Sequence, residues 1–323
     1  TGVAAARRWA DPGAGDARSL TPLLERLWFG AITVLGVTII VFVLSRLVGD
    51  PAALMLAPDA SAEDRAMLRA ALGLDRTIFE QFLLFLRDLA RFDLGTSLWQ
   101  KRPAAEIVLE RLPWTLSLAA LAMLVAALLG TTLGVLAALR PGSVLDTGAT
   151  LAALAGLSAP QFWLGLLLVY LFAVELNWLP SSGAEQASSI ILPALTLALP
   201  AAGRIAMMVR SGMVEELNAP YVLTARAKGT SGTRIVLVHA LRNAAGPAIS
   251  ITGWEAIRAL AGYTVVVETV FAWPGLGSLA IAAIQNQDLV LLQGIVFTTA
   301  LMVVALNIVT DSLQRMVDPR IGA

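Results

Sequence analysis

Cysteine is missing from this 323-residue chain, histidine occurs once and lysine twice. The first absence excludes disulfides and thiolate metal sites. The second means that no site in the chain uses a pair of histidines; a lone His239 is ordinarily structural. Lys101 is followed by Arg102 and Lys228 by Gly229. A Walker A loop needs lysine followed by serine or threonine, so that the amine reaches the phosphates and the hydroxyl holds magnesium. The chain therefore does not bind ATP by that route. Charge is scarce as well, at 14% of residues, against about 25% in a soluble domain. Formal net charge is zero, so no global field points to nucleic acid. What is abundant is apolar: 57% hydrophobic residues and a mean hydropathy of +0.76. Such a chain needs a solvent other than water.

A helix crosses the hydrocarbon core with about 20 mostly apolar residues. Six segments meet that length: 27–48, 113–139, 149–174, 190–210, 244–267 and 289–312. The first, containing AITVLGVTIIVFVL, is too long in its apolar core for a cleaved signal and follows a polar stretch, so a retained span is expected. The expectation is an all-α polytopic membrane protein with six transmembrane helices. Its parts are an N-terminal tail (1–26), a first span (27–48), a helical segment (49–112), a transmembrane core (113–314) with a loop at 211–243, and a tail (315–323).

Lysine and arginine in short loops set orientation. Arg7, Arg8, Arg18 and Arg26 lie in the N-terminal tail, Arg140 in the 140–148 connection, and Arg315 and Arg320 in the C-terminal tail. The segment from Arg204 to Arg242 also holds Arg210, Arg226, Lys228 and Arg234, whereas 175–189 and 268–288 have neither lysine nor arginine. The alternation puts both termini and the 211–243 loop in the cytoplasm. Segment 49–112 carries eight basic residues on the outside, near the length at which the rule weakens. It reads as a lid of two amphipathic helices. One follows Ser61 as N-cap, with Asp64 three residues on and apolar Met67, Leu68, Ala71 and Leu72; the other is IFEQFLLFLRDLARF.

The loop reads YVLTARAKGTSGTRIVLVHALRNAAGP. Helix formers run from Tyr221 to Lys228, Gly229 and Gly232 break the run, and a second helix starts near Thr233. A helix-turn-helix on the membrane surface is shaped to dock another protein. As a basic juxtamembrane loop it equally suits anionic lipid.

The run Ala225–Gly229 followed by His239–Asn243 resembles the coupling-loop motif of dipeptide, oligopeptide and nickel ABC-transporter permeases. GDP at 49–51, LGLDR at 72–76, DLGTS at 93–97, RLPWTLSL at 111–118, WLPSSG at 178–183 and ILPALTLAL at 191–199 are similar to the same family. VETVFAWPGLG at 267–277, Asn307 with Asp311, and DPR at 318–320 continue the series, which covers nearly the whole chain after residue 25. Their order resembles the first of the two permease types. The wider importer motif begins Glu-Ala-Ala, with glycine six residues after the acid. Here Leu223, Thr224 and Ala225 stand in those places and the acid is missing.

The resemblance implies the type I ABC importer permease fold, in a bacterial inner membrane. It implies half of a pore completed by a second permease, two ATPase subunits beneath that carry ATP and magnesium, and an external binding protein that delivers cargo. No cofactor is expected on this chain, nor enzymatic activity. The implied coupling residues are Tyr221, Thr224, Ala225, Arg226, Ala227, Lys228, Gly229, His239 and Asn243. Small residues there permit close docking, and Arg226 and Lys228 offer charge-assisted hydrogen bonds. Trp273, Pro274, Gly275 and Gly277 are expected at the external gate, where the proline and the two glycines make a bent re-entrant segment tolerable only against protein or water.

Polar groups inside spans complete the reading. Glu255 and Arg258 sit three apart on one face of the fifth span. They are either a self-neutralising ion pair or a pore-facing pair that meets the termini of a zwitterionic peptide. Glu268 lies at the end of that span. Asn307 and Asp311, four apart on the last, belong with the pathway or with helix packing. Pro160 predicts a kink in the third span. Phe162, Trp163, Trp178, Trp254 and Trp273 are expected as interface anchors or path-lining groups. The alternative function, a transporter driven by an ion gradient, calls for buried acids in several spans and an internal repeat; few such acids and no clear repeat are present.

Overall fold

The computed structural model describes residues 14–48, 61–71, 73 and 75–317. Eleven helices, a short 3-10 turn at Ala187–Ile190 and one isolated bridge, Thr96 to Pro103, make up the regular structure of these residues. The helices are α1 (Ala14–Val48), α2 (Ala62–Ala71), α3 (Ile78–Ala90), α4 (Ala104–Leu139), α5 (Val144–Ser158), α6 (Gln161–Glu175) and α7 (Ile191–Leu217). After them come α8 (Pro220–Ala227), α9 (Gly232–Val270), α10 (Leu276–Gln285) and α11 (Leu289–Val317). The GDP and DPR motifs, Leu72 and the outermost tail residues lie outside the described residues.

Four helices, α4, α7, α9 and α11, are each long and apolar enough to cross a membrane. The first expected span falls in α1, whose apolar stretch Trp28–Leu44 is shorter than those four, so the count of six spans is not reached among the described residues. The third expected span is not one kinked rod. α5 and α6 meet at an angle of 108°. Pro160 has no N–H to donate, and its ring pushes the preceding residue out of the helical region; Ala159 is extended, with φ −77° and ψ 128°. Two further boundaries move. α4 begins at Ala104, inside the segment assigned to the lid, and runs through Pro113. α9 takes in residues 232–243, which the sequence placed in the loop.

α4 and α7 form the centre of the bundle, and small residues let them approach. A Cβ on Gly130 would lie 2.8 Å from the Ala202 carbonyl oxygen, and one on Gly134 would lie 2.6 Å from that of Ala206. This is the glycine-spaced packing by which apolar helices associate in lipid, where backbone proximity replaces the hydrophobic drive. Around it, Leu118, Leu197, Ile205, Val209 and Met213 are buried.

In the expected lid, Ser61 directly precedes α2. A full capping box forms at α3: the Thr77 hydroxyl accepts from the Glu80 amide (3.3 Å), and the Glu80 carboxylate accepts from the Thr77 amide (3.1 Å). The loop after α3 is pinned to the α10–α11 turn by Asp288. That fully buried carboxylate accepts from Ser97 Oγ (2.5 Å), the Trp99 amide (3.1 Å) and the Leu291 amide (3.0 Å).

Candidate coupling segment and membrane-centre ion pair

The α7–α9 connection is built around α8. Pro220 starts the helix at its first position, where a missing N–H costs nothing. Gly229 ends it with φ +76°. The Gly229 amide donates to the Arg226 carbonyl (2.9 Å) and the Thr230 amide to that of Ala225 (3.1 Å), a Schellman ending that needs left-handed backbone. Buried Val222 anchors the helix, while Leu223, Thr224, Arg226, Ala227, Lys228 and Gly229 are exposed. Ala225 and His239 are half-buried. A Cβ on Gly229 would meet nothing within 4 Å.

Three side chains hold α8 to both flanking helices. Tyr221 Oη donates to Glu216 Oε2 (2.5 Å), and Asn243 Nδ2 donates to the same oxygen (3.0 Å) and to Tyr221 Oη (3.2 Å). Glu216 ends α7, Tyr221 begins α8 and Asn243 belongs to α9, so the three hydrogen bonds tie all three helices together. Burial, and then the Glu216 carboxylate, push the Tyr221 phenol above its ordinary pKa; it keeps the proton it donates. Glu216 was missed by sequence reasoning. Its signal was an acid at the end of a span, facing an otherwise basic loop. At the same end of the bundle, Asp146 of α5 accepts from Arg210 of α7 (Nε, and Nη2 at 2.7 Å) and from the Gly142 amide (2.8 Å).

Of the expected pathway residues, Glu255 and Arg258 are brought together, but not chiefly with each other. Glu255, buried, takes a bidentate pair from Arg204 of α7 through Nε and Nη2 (2.6 Å). Arg258 Nη1 stands 3.8 Å from Glu255 Oε1. Fifty-one residues separate Arg204 from Glu255, and sequence reasoning missed the arginine; its only mark was a charge inside the fourth span. Asn307 is exposed on α11 and Asp311 half-buried one turn on. α9 and α11 touch closely at Gly253 and Thr310.

Glu268 sits apart, at the opposite end from α8. Fully buried, it accepts from Thr115 Oγ1 (2.7 Å) and from the amides of Gly277 (2.6 Å) and Ser278 (3.0 Å). The Trp273 indole donates to the Trp114 carbonyl (3.0 Å), and their rings meet edge-on at 5.3 Å. A Cβ on Gly277 would lie 2.5 Å from Val265 Cα. The expected re-entrant segment is thus a tight turn followed by α10, bolted to α4 and α9. Trp273 is buried rather than an interface anchor, whereas Phe162, Trp163, Trp178 and Trp254 are exposed.

Three comparisons bear on this architecture. The model of the binding-protein-dependent transport system inner membrane component family matches residues 130–323, and its N-terminal companion matches 20–119. The chain belongs to this family. A putative peptide transport system permease protein of Brucella abortus (strain 2308) is 39% identical over 308 residues, covering 93% of this chain and 98% of the relative. The oligopeptide transport system permease protein AppB of Bacillus subtilis (strain 168) is 36% identical, with the same two coverages. The glutathione transport system permease protein GsiC of Salmonella choleraesuis (strain SC-B67) is 38% identical, covering 94% and 99%. Among solved structures, a chain of the MetNI methionine ABC transporter in an inward-facing conformation superposes with a TM-score of 0.56. It covers 65% of this chain and 96% of its own length at 19% identity, which supports a shared fold. The protein is a membrane-embedded permease, and its family membership leaves the ion-gradient alternative without support.

Proposed function

We propose that this permease forms half of the translocation pore of a peptide-importing ABC transporter, and that α8 is its coupling helix. A second permease completes the pore. Two separate ATPase subunits hold ATP and magnesium, and an external binding protein delivers cargo at the α10 end. Both termini and α8 lie in the cytoplasm of a bacterial cell. The carrying observation is the Glu216–Tyr221–Asn243 clamp, which makes a rigid lever of an exposed helix bearing Leu223, Thr224, Arg226 and Lys228. Leu223, at the place where the wider importer motif has its acid, offers an apolar contact instead. Movement of the ATPases is transmitted through the clamp into α7 and α9. Trp273, Pro274, Gly275 and Gly277, bolted by Glu268, give the far end a stiff rim against which the binding protein docks. The relatives' names speak for peptides or peptide-like solutes as cargo.

The test is Gly229→Leu in the assembled transporter. The added side chain meets open space in this chain but strains the left-handed ending of α8, so it alters the docking surface both by bulk and by backbone. Expected is normal membrane insertion and co-purification of the second permease, with ATP-driven peptide uptake lost. Normal uptake in that variant overturns the assignment of α8.

A further inference from the structure

Arg204 stands midway along α7, and Glu255 and Arg258 midway along α9. Two guanidiniums meet one carboxylate there. Both oxygens of Glu255 serve Arg204, while Arg258 approaches only to 3.8 Å, beyond hydrogen-bonding reach. One positive charge is left over. The other contact of Arg258 is Tyr263, whose hydroxyl accepts from Nη2 and whose ring centre lies 5.0 Å from the guanidinium carbon. Neither feature of Tyr263 carries a full negative charge. Residues five apart face different sides of a regular α-helix; the wide turn Ala259–Tyr263, with its longer hydrogen-bond step, brings the tyrosine back beside the arginine.

The surroundings are open. Trp254, Arg258 and Ala261 follow at helical spacing on one face of α9; the Arg258 side chain is 36% exposed and Trp254 57%. Arg204 of α7 is followed on its own face by the exposed Met207 and Met208. A Cβ on Gly262 would meet nothing within 4 Å. A strip holding two arginines at this depth cannot be turned to hydrocarbon, so it faces protein or water. Methionine and tryptophan offer adaptable apolar contact, which suits cargo whose side chains vary. A planar guanidinium with spare N–H groups suits a carboxylate.

We infer that Arg258 is a carboxylate-binding group in the translocation path, and that it takes the C-terminal carboxylate of peptide cargo. Glu255, neutralised by Arg204, does not receive the cargo amine. The inference rests on the reading of the chain as a peptide-importer subunit.

The test uses the whole transporter, with its partner permease, ATPases and binding protein, in proteoliposomes. Uptake is measured for di- and tripeptides and for their C-terminal amides, with the binding protein saturated by each. Expected is faster uptake of the free acids by the native protein. Arg258→Gln should slow the free acids about tenfold, the worth of one charged hydrogen bond, and leave the amides within about twofold, with Arg258→Lys restoring much of the loss. Equal slowing of acids and amides, with weaker co-purification of the second permease, assigns the matching carboxylate to that subunit and overturns the inference. So does an unchanged rate for both forms. ATP-independent uptake, or no uptake of any peptide, breaks the importer reading itself; ATP-driven uptake without acid-amide discrimination breaks only the inference.

Discussion

Glu255 and Glu268 share one helix, are both buried, and are satisfied in opposite ways. Glu268 meets no cation among its hydrogen-bond partners: a hydroxyl and two backbone amides from α4 and the α10 start surround it. Glu255 meets two arginines, one from its own helix and one from α7. The first arrangement is saturated and local, and it fastens a turn. The second is over-supplied with positive charge, open on one side, and couples two long rods. Burial of an acid within a span is therefore not by itself a sign of a pathway. A surplus of positive charge is what sets the Glu255 cluster apart from the saturated Glu268 turn.

The largest effect should come from breaking the ion pair on one side. Glu255→Gln leaves Arg204 without its counter-charge in the bundle, at a cost of about 3 kcal/mol; a fall in the thermal midpoint of the detergent-solubilised complex reads it. Adding Arg204→Gln should recover part of that loss, because the unpaired charge goes with it. Failure to recover would show that packing rather than charge holds α7 to α9 here.

Next comes Glu268→Ala, which strands the Thr115 hydroxyl and two amides, about 2–3 kcal/mol. No single second substitution should rescue it, since two of the donors are backbone. Raised hydrogen exchange confined to residues 271–278 is the expected signature; exchange spread over α9 would mean that Glu268 supports the rod rather than the turn.

Glu216→Gln sits lower in stability cost, about 1 kcal/mol, but should cut ATP-driven uptake several-fold by loosening the lever. Uptake that tracks the small stability change alone would remove the clamp from the coupling pathway. The smallest effect is Thr77→Ala. It removes the capping box of α3, about 1 kcal/mol or less on the lid, and should leave uptake unchanged.

Much of the fold was legible because lipid imposes one simple rule: apolar runs of sufficient length, separated by charged or turn-forming residues. The helix of the segment from Tyr221 to Asn243 was legible from its run of helix formers and its glycine stop at Gly229. Less legible were events that depend on what a helix packs against. Pro160 reads as a kink, yet the angle of 108° turns on how far Ala159 is driven from helical backbone. Glu255 and Arg258, three apart, look like partners until Arg204 is seen across the gap.

Local chemistry thus determined which segments are apolar enough to cross a membrane and where helices break. Tertiary structure alone decided which charges meet. Arg204 reaches Glu255 across fifty-one residues, Glu216 joins Tyr221 to Asn243, and Glu268 finds its donors on α4 and α10. Electrostatic partnership is set by distance in space, and no periodicity along one helix records what a second helix brings to its side.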